Sequence, residues 1–335
     1  MGLQIGDIVS RREIKFEELK GKVIAVDAFN AIYQFLSSVR QPDGTPLMDS
    51  KNRITSHLSG LFYRNIALLS EGIKLIYVFD GKYNELKGKT HENRENAKRE
   101  AREKYELAKD EEDIEAMGRY SRGFVKLDSE MIAESKELLE AMGIAVVQAS
   151  GEGEMQCSQL VKEGSAYAVG SQDYDSLVVG GRLIQNLTLA RKRKTRNGII
   201  YIAPEIIEYE KVLRELGIDP DQFISLAVLV GTDFNPGGVK GIGPKKALAF
   251  VRQKKYPVEI FREFEGRMDF DWKVIFEIFK KPDVIKNVEV KFPNLDRNAV
   301  KKILVEEHDF SLERVDKSLD KLGEIKKQSS QRKLF

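Results

Sequence analysis

A chain of 335 residues with an apolar share of 41% can bury a sizeable core, as one large α/β domain or two modest ones. No run of about 18 apolar residues occurs, which excludes a helical membrane span, and the opening MGLQIGDIVSRREIKF lacks the cationic head and apolar stretch of a secretory leader. The net charge of +2 hides uneven placement: RKRKTR (191–196) and the terminal KKQSSQRKLF are local cationic ridges, suited to a polyanion gripped at chosen points.

In chain order, KVIAVDA (22–28) reads as the first of four short β-branched-rich strands. The others are KLIYVFDG (74–81), GIAVVQAS (143–150) and AYAVGSQD (166–173). Each is preceded by a segment of helical character. SHLSGLFYRNIALLSEG (56–72) is one, and SEMIAESKELLEAMG (129–143), with Ser129 as cap and Gly143 as terminator, is another. Continuous apolar strands alternating with helices predict a mostly parallel sheet buried on both faces. Between 82 and 128 the pattern stops. That stretch has helical composition but only a thin apolar stripe, Ala97, Ala101, Tyr105 and Ala108, and reads as a lid or clamp inserted between two strands. NG (197–198) followed by IIYI predicts a hairpin turn. From about 204 the chain reads as predominantly helical.

Each of the four strands ends in acid or is soon followed by it: Asp27, Asp80, Glu152 with Glu154, and Asp173 with Asp175. A parallel sheet delivers all its carboxyl ends to one edge, where ligands bind. Carboxylates collected in one crevice repel one another unless protons or cations intervene. The three histidines lack metal-ligand spacing, so a metal here would be held by oxygen, which favours Mg²⁺ or Mn²⁺. The lone Cys157 permits no internal disulfide and fits a reducing compartment. GIGPKKAL (241–248) adds a turn built on Gly241 and Gly243, a helix start at Pro244, and charge from Lys245 and Lys246. Backbone amides there would hold phosphate without reading base sequence.

The motifs VDAFNAIYQFL (26–36), TSHLSGLFYR (55–64), YVFDGK (77–82), GEGE (151–154), SQDYDSL (171–177) and LVGTDFNPGGVKGIGPKKA (229–247) together resemble a flap endonuclease, the structure-specific 5′ nuclease of replication and repair, in its compact archaeal form. The resemblance implies a 5′-nuclease or PIN-like α/β fold whose mostly parallel sheet is flanked by helices on both faces. It implies hydrolysis of DNA near the base of 5′ flaps, with 5′→3′ exonuclease activity. Asp27, Asp80, Glu152 and Glu154 would serve one Mg²⁺, and Asp173, Asp175 and Asp233 a second, with Mn²⁺ as substitute. Lys87 and Arg94 would reach the scissile phosphate. Tyr33 would stack on a base, and Gly2 would lie near the active site. Arg40, Thr55 and Arg64 would face duplex backbone, as would the cations Arg191, Lys192, Arg193 and Lys194.

The domain reading that follows is one nuclease unit. Its N-terminal region is 1–81, its arch 82–128, and its internal region 129–220. A helix-two-turn-helix with K⁺ occupies 221–255, a helical region 256–325, and a sliding-clamp tail 326–335 through Gln328, Leu334 and Phe335. The chain departs from the family pattern in that tail, where Gln331 takes the aliphatic place and one aromatic is missing. It departs again at KYNELK (82–87), where relatives carry prolines. The resemblance further implies a monomer, cytoplasmic in an archaeon and nuclear in a eukaryote. Open alternatives are an exonuclease or bubble-cutting relative, a junction-binding protein without catalysis, and an RNA-cutting domain.

Overall fold

The apolar runs assemble into one sheet. In the computed structural model, residues 2–41, 43–82, 85–111, 113–189, 192–195 and 198–331 are described. β1 (Arg12–Glu13) and β2 (Val23–Asp27) precede α1 (Ala28–Ser38) and α2 (Ser56–Ser70). β3 (Lys74–Phe79) leads through α3 (Gly88–Asp110) and α4 (Ile114–Tyr120) to α5 (Ser129–Ala141). There follow β4 (Ala145–Gln148), α6 (Gly153–Lys162), β5 (Ala168–Gly170), α7 (Asp175–Val178) and β6 (Leu183–Gln185). β7 (Lys192–Thr195), β8 (Gly198–Tyr201) and β9 (Glu205–Ile207) come next. The remainder comprises α8 (Tyr209–Leu216), α9 (Pro220–Val230), α10 (Pro244–Gln253), α11 (Pro257–Arg262), α12 (Trp272–Lys280), α13 (Arg297–Lys301) and α14 (Leu312–Gln331).

The 7-stranded sheet has the order β1-β9-β6-β5-β2-β3-β4. β4, β3, β2, β5 and β6 run parallel, while β9 and β1 join antiparallel at one edge. Side chains alternate between two cores, as the strand period demands. Ala25, Ile76, Val78 and Val147 face the layer containing α6, α9, α10 and α12. Ile24, Val26, Tyr77 and Phe79 face the layer of α1, α2 and α5. Each fully buried side chain of this size contributes roughly 1.5–3 kcal/mol. A sheet covered on both faces is free to present ligand-binding groups only at its edges, and its carboxyl edge collects the loops after β2, β3, β4 and β5.

All four anticipated strands are present, and the differences have physical causes. β6, β9 and β1 are too short to register as apolar runs, and β9 falls where the chain reads as helical. β2 is preceded only by a 3₁₀ turn at Phe16–Leu19 rather than by an α-helix. The cap of α5 is Asp128, whose carboxylate accepts from Met131 N at 2.9 Å, and not Ser129, which is already helical. Gly143 does terminate that segment, at φ +78°. The hairpin forms with Thr195 opposite Gly198. The 82–128 segment consists mainly of α3 and α4. Its thin stripe is used sparingly: Ala108 is buried, and Tyr105 packs edge-on against Phe124.

The 256–325 region is not continuously helical, since residues 281–296 have no regular secondary structure. Beyond it, a π-helical stretch at Lys302–Glu307 ends at His308. The buried His308 ring places Nδ1 3.1 Å from Asp49 and Nε2 3.0 Å from Glu134, which ties the C-terminal helices to the N-terminal half. α14 continues to Gln331, so Gln328 is helical, whereas Leu334 and Phe335 lie outside the described residues.

Candidate active site

Asp27 is the last residue of β2, and Asp80 directly follows β3. Glu152 and Glu154 open α6 after β4, and Asp173 and Asp175 follow β5. Asp233 arrives from the loop after α9. These elements bring all seven carboxylates into one electrostatic neighbourhood. Asp27 feels Asp80 and Asp173, Asp80 feels Glu152, and Glu154 feels Asp175, Asp27 and Asp173. Asp173 and Asp175 both feel Asp233.

Local bonds set the positions. Asn30, in the first turn of α1, donates its backbone N–H to Asp27 at 3.0 Å and its side-chain amide to Asp173 at 2.8 Å. The glycine between the two glutamates has a steric reason: Gly153 N donates to Asp80 Oδ1 at 2.7 Å, and a Cβ at Gly153 would stand 2.7 Å from that same oxygen. No larger residue fits between the glutamates without moving Asp80. Gly2 lies beside Asp173, for a Cβ there would meet Asp173 Oδ1 at 2.9 Å.

The base of α3 closes the site with cations. Lys87 Nζ bonds to Glu152, lies 4.0 Å from Asp233 and sits over the Phe234 ring at 5.0 Å. Arg94 pairs with Asp233, and the Thr90 hydroxyl donates to the Asp233 carbonyl. Lys87 and Arg94 therefore meet carboxylates in this structure.

The acids are strained electrostatically. Burial, then Asp80, pushes Asp27 up to about 8. Burial, then Asp233 and Asp173, pushes Asp175 up to about 7. Burial and the neighbouring Asp175 raise Glu154 well above the usual carboxylate range. Lys87 is held the other way: burial alone would lower it, but Glu154, Glu152 and Asp233 outweigh that and raise it. Two buried carboxylate oxygens, Asp175 Oδ1 and Asp233 Oδ1, have no hydrogen-bond partner among the described residues. Among the described residues no three acids form a closed cage by themselves. Hard, desolvated and under-neutralised oxygens nevertheless fit divalent cations that retain part of their water.

The remaining anticipated residues divide by exposure. Tyr33 is 39% exposed on α1, with a face open to a partner. Lys245 and Lys246 are exposed at the start of α10, where Gly243 caps without a side-chain bond, Pro244 takes the first position and Gly241 has φ +80°. Gln222 binds the Val251 and Lys254 carbonyls and so joins α9 to α10. Arg64 is half-buried. Thr55 is buried, whereas Arg40 is half-buried and donates through Nε and Nη1 to the Leu36 and Gly44 carbonyls. Lys192, Arg193 and Lys194 belong to β7, and Arg191 lies outside the described residues. Reading the sequence missed Asn30 and Thr90. The signal for Asn30 was a polar residue in the first helical turn after an acid-ended strand.

The XPG N-terminal domain matches residues 3–101 and the XPG I-region matches residues 143–233. These two segments hold all seven acids and both cations at the base of α3. Fold and site together define a nuclease of the XPG class. The catalytic core of Rad2 in complex with DNA shares the fold at a TM-score of 0.69 and 23% identity, covering 96% of this chain and 100% of that one. Flap endonuclease 1 of Pyrococcus furiosus is 49% identical over 99% of this chain and 97% of its own length. That of Aeropyrum pernix is 45% identical over 96% and 95%. The solved flap endonuclease-1 from Methanococcus jannaschii superposes with a TM-score of 0.76 at 41% identity, covering 97% of this chain and 98% of that one. The chain belongs to the flap endonuclease family, whose members are metal-dependent nucleases.

Proposed function

We infer that the chain is a structure-specific 5′ flap endonuclease, with 5′→3′ exonuclease activity, that hydrolyses DNA phosphodiesters near the base of the flap. The observation that carries this reading is the convergence of seven acids at the carboxyl edge of one parallel sheet, beneath the cationic base of α3. Asp27, Asp80, Glu152 and Glu154 would hold one divalent ion, and Asp173, Asp175 and Asp233 a second. Glu154 feels members of both groups. Mg²⁺, with Mn²⁺ as substitute, suits an all-oxygen donor set. Such ions supply Lewis acidity for attack of water on the phosphodiester and offset charge at the departing 3′ oxygen.

The protein's own groups do the rest. Lys87 and Arg94, which pair with Glu152 and Asp233 here, would offset the growing charge on the phosphoryl oxygens once those carboxylates hold metal. Tyr33 stacks on the base next to the cut. The free amides at the start of α10, with Lys245 and Lys246, hold duplex phosphates. K⁺ at the adjoining Gly241–Gly243 turn would add a further charge for that backbone. The single strand passes the 82–128 arch. The full set of seven acids favours catalysis over mere junction binding.

No helix among the described residues is long and apolar enough to cross a membrane. The archaeal relatives favour a cytoplasmic setting, and the chain is proposed to act as a monomer. The tail from 326 is proposed to reach a sliding clamp through Gln328, Leu334 and Phe335. The decisive assay is a 5′-labelled double-flap DNA incubated with Mg²⁺ and then with chelator. Release of a single strand cut near the flap base, abolished by chelator, is expected; intact substrate in Mg²⁺ would refute the reading.

A further inference from the structure

We propose that the irregular 281–296 segment is a strap that positions Glu152 and Glu154, acting through Gln156 and Ser150. This rests on the reading of those glutamates as metal-holding groups.

Val284, Val288 and Val290 pack into the core on one face of the sheet, and Leu295 into the core on the other. The segment therefore passes round the β4 edge, covering an edge strand that would otherwise stand open. As it passes, it grips α6. Gln156 is fully buried, and both ends of its amide are used by one residue of the strap. Its Nε2 donates to Ile285 O at 2.8 Å, and its Oε1 accepts from Ile285 N at 2.7 Å. Glu163, two turns further along the same face, accepts from Asn287 N at 3.0 Å. Glu154, two residues before Gln156, lies about 200° round the helix and faces the acid cluster instead. α6 is thus held between strap and site.

The loop leading into α6 is gripped as well. Ser150 Oγ donates to Asp283 Oδ1 at 3.0 Å, and a Cβ on Gly151 would stand 3.1 Å from the Asp283 carbonyl. Both ends of the short stretch that carries the glutamates are therefore fixed by residues 283–285. Buried paired carboxylates repel, and a helix start free to turn would relieve that repulsion by spreading them. The strap opposes this movement. Gln156 and Asp283 are positioning residues, since their bonds run to Ile285 and Ser150 and not to the acids.

The test uses the full chain with Mn²⁺ as the probe. Gln156→Leu roughly keeps the volume and removes both bonds to the Ile285 backbone. Binding of Mn²⁺ to metal-free protein is expected to weaken about 10-fold, the scale for groups that orient metal ligands. Single-turnover cleavage should fall alike at limiting Mg²⁺, recover at saturating Mg²⁺, and leave flap-DNA affinity unchanged. Asp283→Ala should weaken Mn²⁺ binding, while Asp283→Asn, which keeps an acceptor oxygen, should not. That pair decides the matter should the Gln156 variant not fold. A lowered melting temperature with wild-type Mn²⁺ affinity in Gln156→Leu and Asp283→Ala would leave the segment a mere stabiliser and overturn the proposal. Glu154→Gln separates the layers. If it weakens Mn²⁺ binding while the strap variants do not, only the strap inference fails. If it too leaves binding unchanged, the reading of the glutamates falls, and the strap proposal with it.

Discussion

Stripping the divalent metal and titrating it back at several pH values probes the charge balance of the acid cluster directly. With Asp27 raised to about 8 and Asp175 to about 7, these two groups are mostly protonated at pH 6 and mostly ionised at pH 9. Glu154, also raised, adds to the protons held. Metal ligands must be ionised, so binding expels those protons. The logarithm of the affinity should therefore climb with pH between about 6 and 9, steeply at the acid end where these groups are protonated and less so toward the alkaline end. Calorimetry of Mn²⁺ binding in buffers of different ionisation enthalpy counts the protons. The sign for stability is the opposite of the usual carboxylate case. Because the folded values lie above the ordinary 3.8, stabilisation from these groups is present below that pH and lost as pH rises through 7 to 8. Metal-free protein should melt lower at pH 9 than at pH 6, and loaded protein should lose this dependence. A pH-independent affinity with no proton release between pH 6 and 9 would refute the reasoning.

Asp173→Ala should abolish cleavage and leave flap-DNA binding within a few-fold, as read by a gel assay beside fluorescence anisotropy; unchanged turnover would mean that the wrong acids have been chosen. Lys87→Ala should slow the single-turnover step by about 10²-fold or more, the scale of a lost transition-state contact, and a rate within a few-fold of wild type would count against that role. Gly153→Ala should destabilise by about 1–3 kcal/mol through the clash with Asp80, measured by denaturant unfolding, and should weaken metal binding as well. Removing residues 326–335 should abolish heat in a calorimetric titration with a sliding clamp while leaving cleavage of free flaps intact; equal heats would remove the clamp claim.

Six of the seven acids were legible because the sheet's rule is simple: a parallel strand ends where a ligand crevice begins, and Asp27, Asp80, Glu152, Glu154, Asp173 and Asp175 lie at or just after such ends. Asp233 obeys no such rule. It follows the helical run of α9, and only family likeness or tertiary structure brings it to the others. Strands β6, β9 and β1 escaped notice because two or three residues carry no periodicity, and their pairing is decided by long-range contacts. The bonds of Arg40 to nearby backbone carbonyls and the burial of Thr55 were equally hidden, for a polar residue in a surface-like motif reveals nothing of where its side chain points. Asp128 outcompeting Ser129 as the cap of α5 is a contest between adjacent good capping residues, which sequence alone cannot decide. The irregular 281–296 strap was read as part of a helical region, because the partners on α6 that hold it lie far away in sequence.

The loop after α9 carries Asp233 near its start and the Gly241–Pro244 turn at its end, with Asn235 pinning its first part by accepting from Thr232 and donating to Val228. A duplex held on that turn, as proposed, would be joined to the cleavage chemistry by this one short loop. On the proposed reading of the turn as a duplex contact, this short span would act as a ruler between the double-stranded arm and the cut, and inserting residues into it should shift the incision by whole nucleotides instead of merely slowing it.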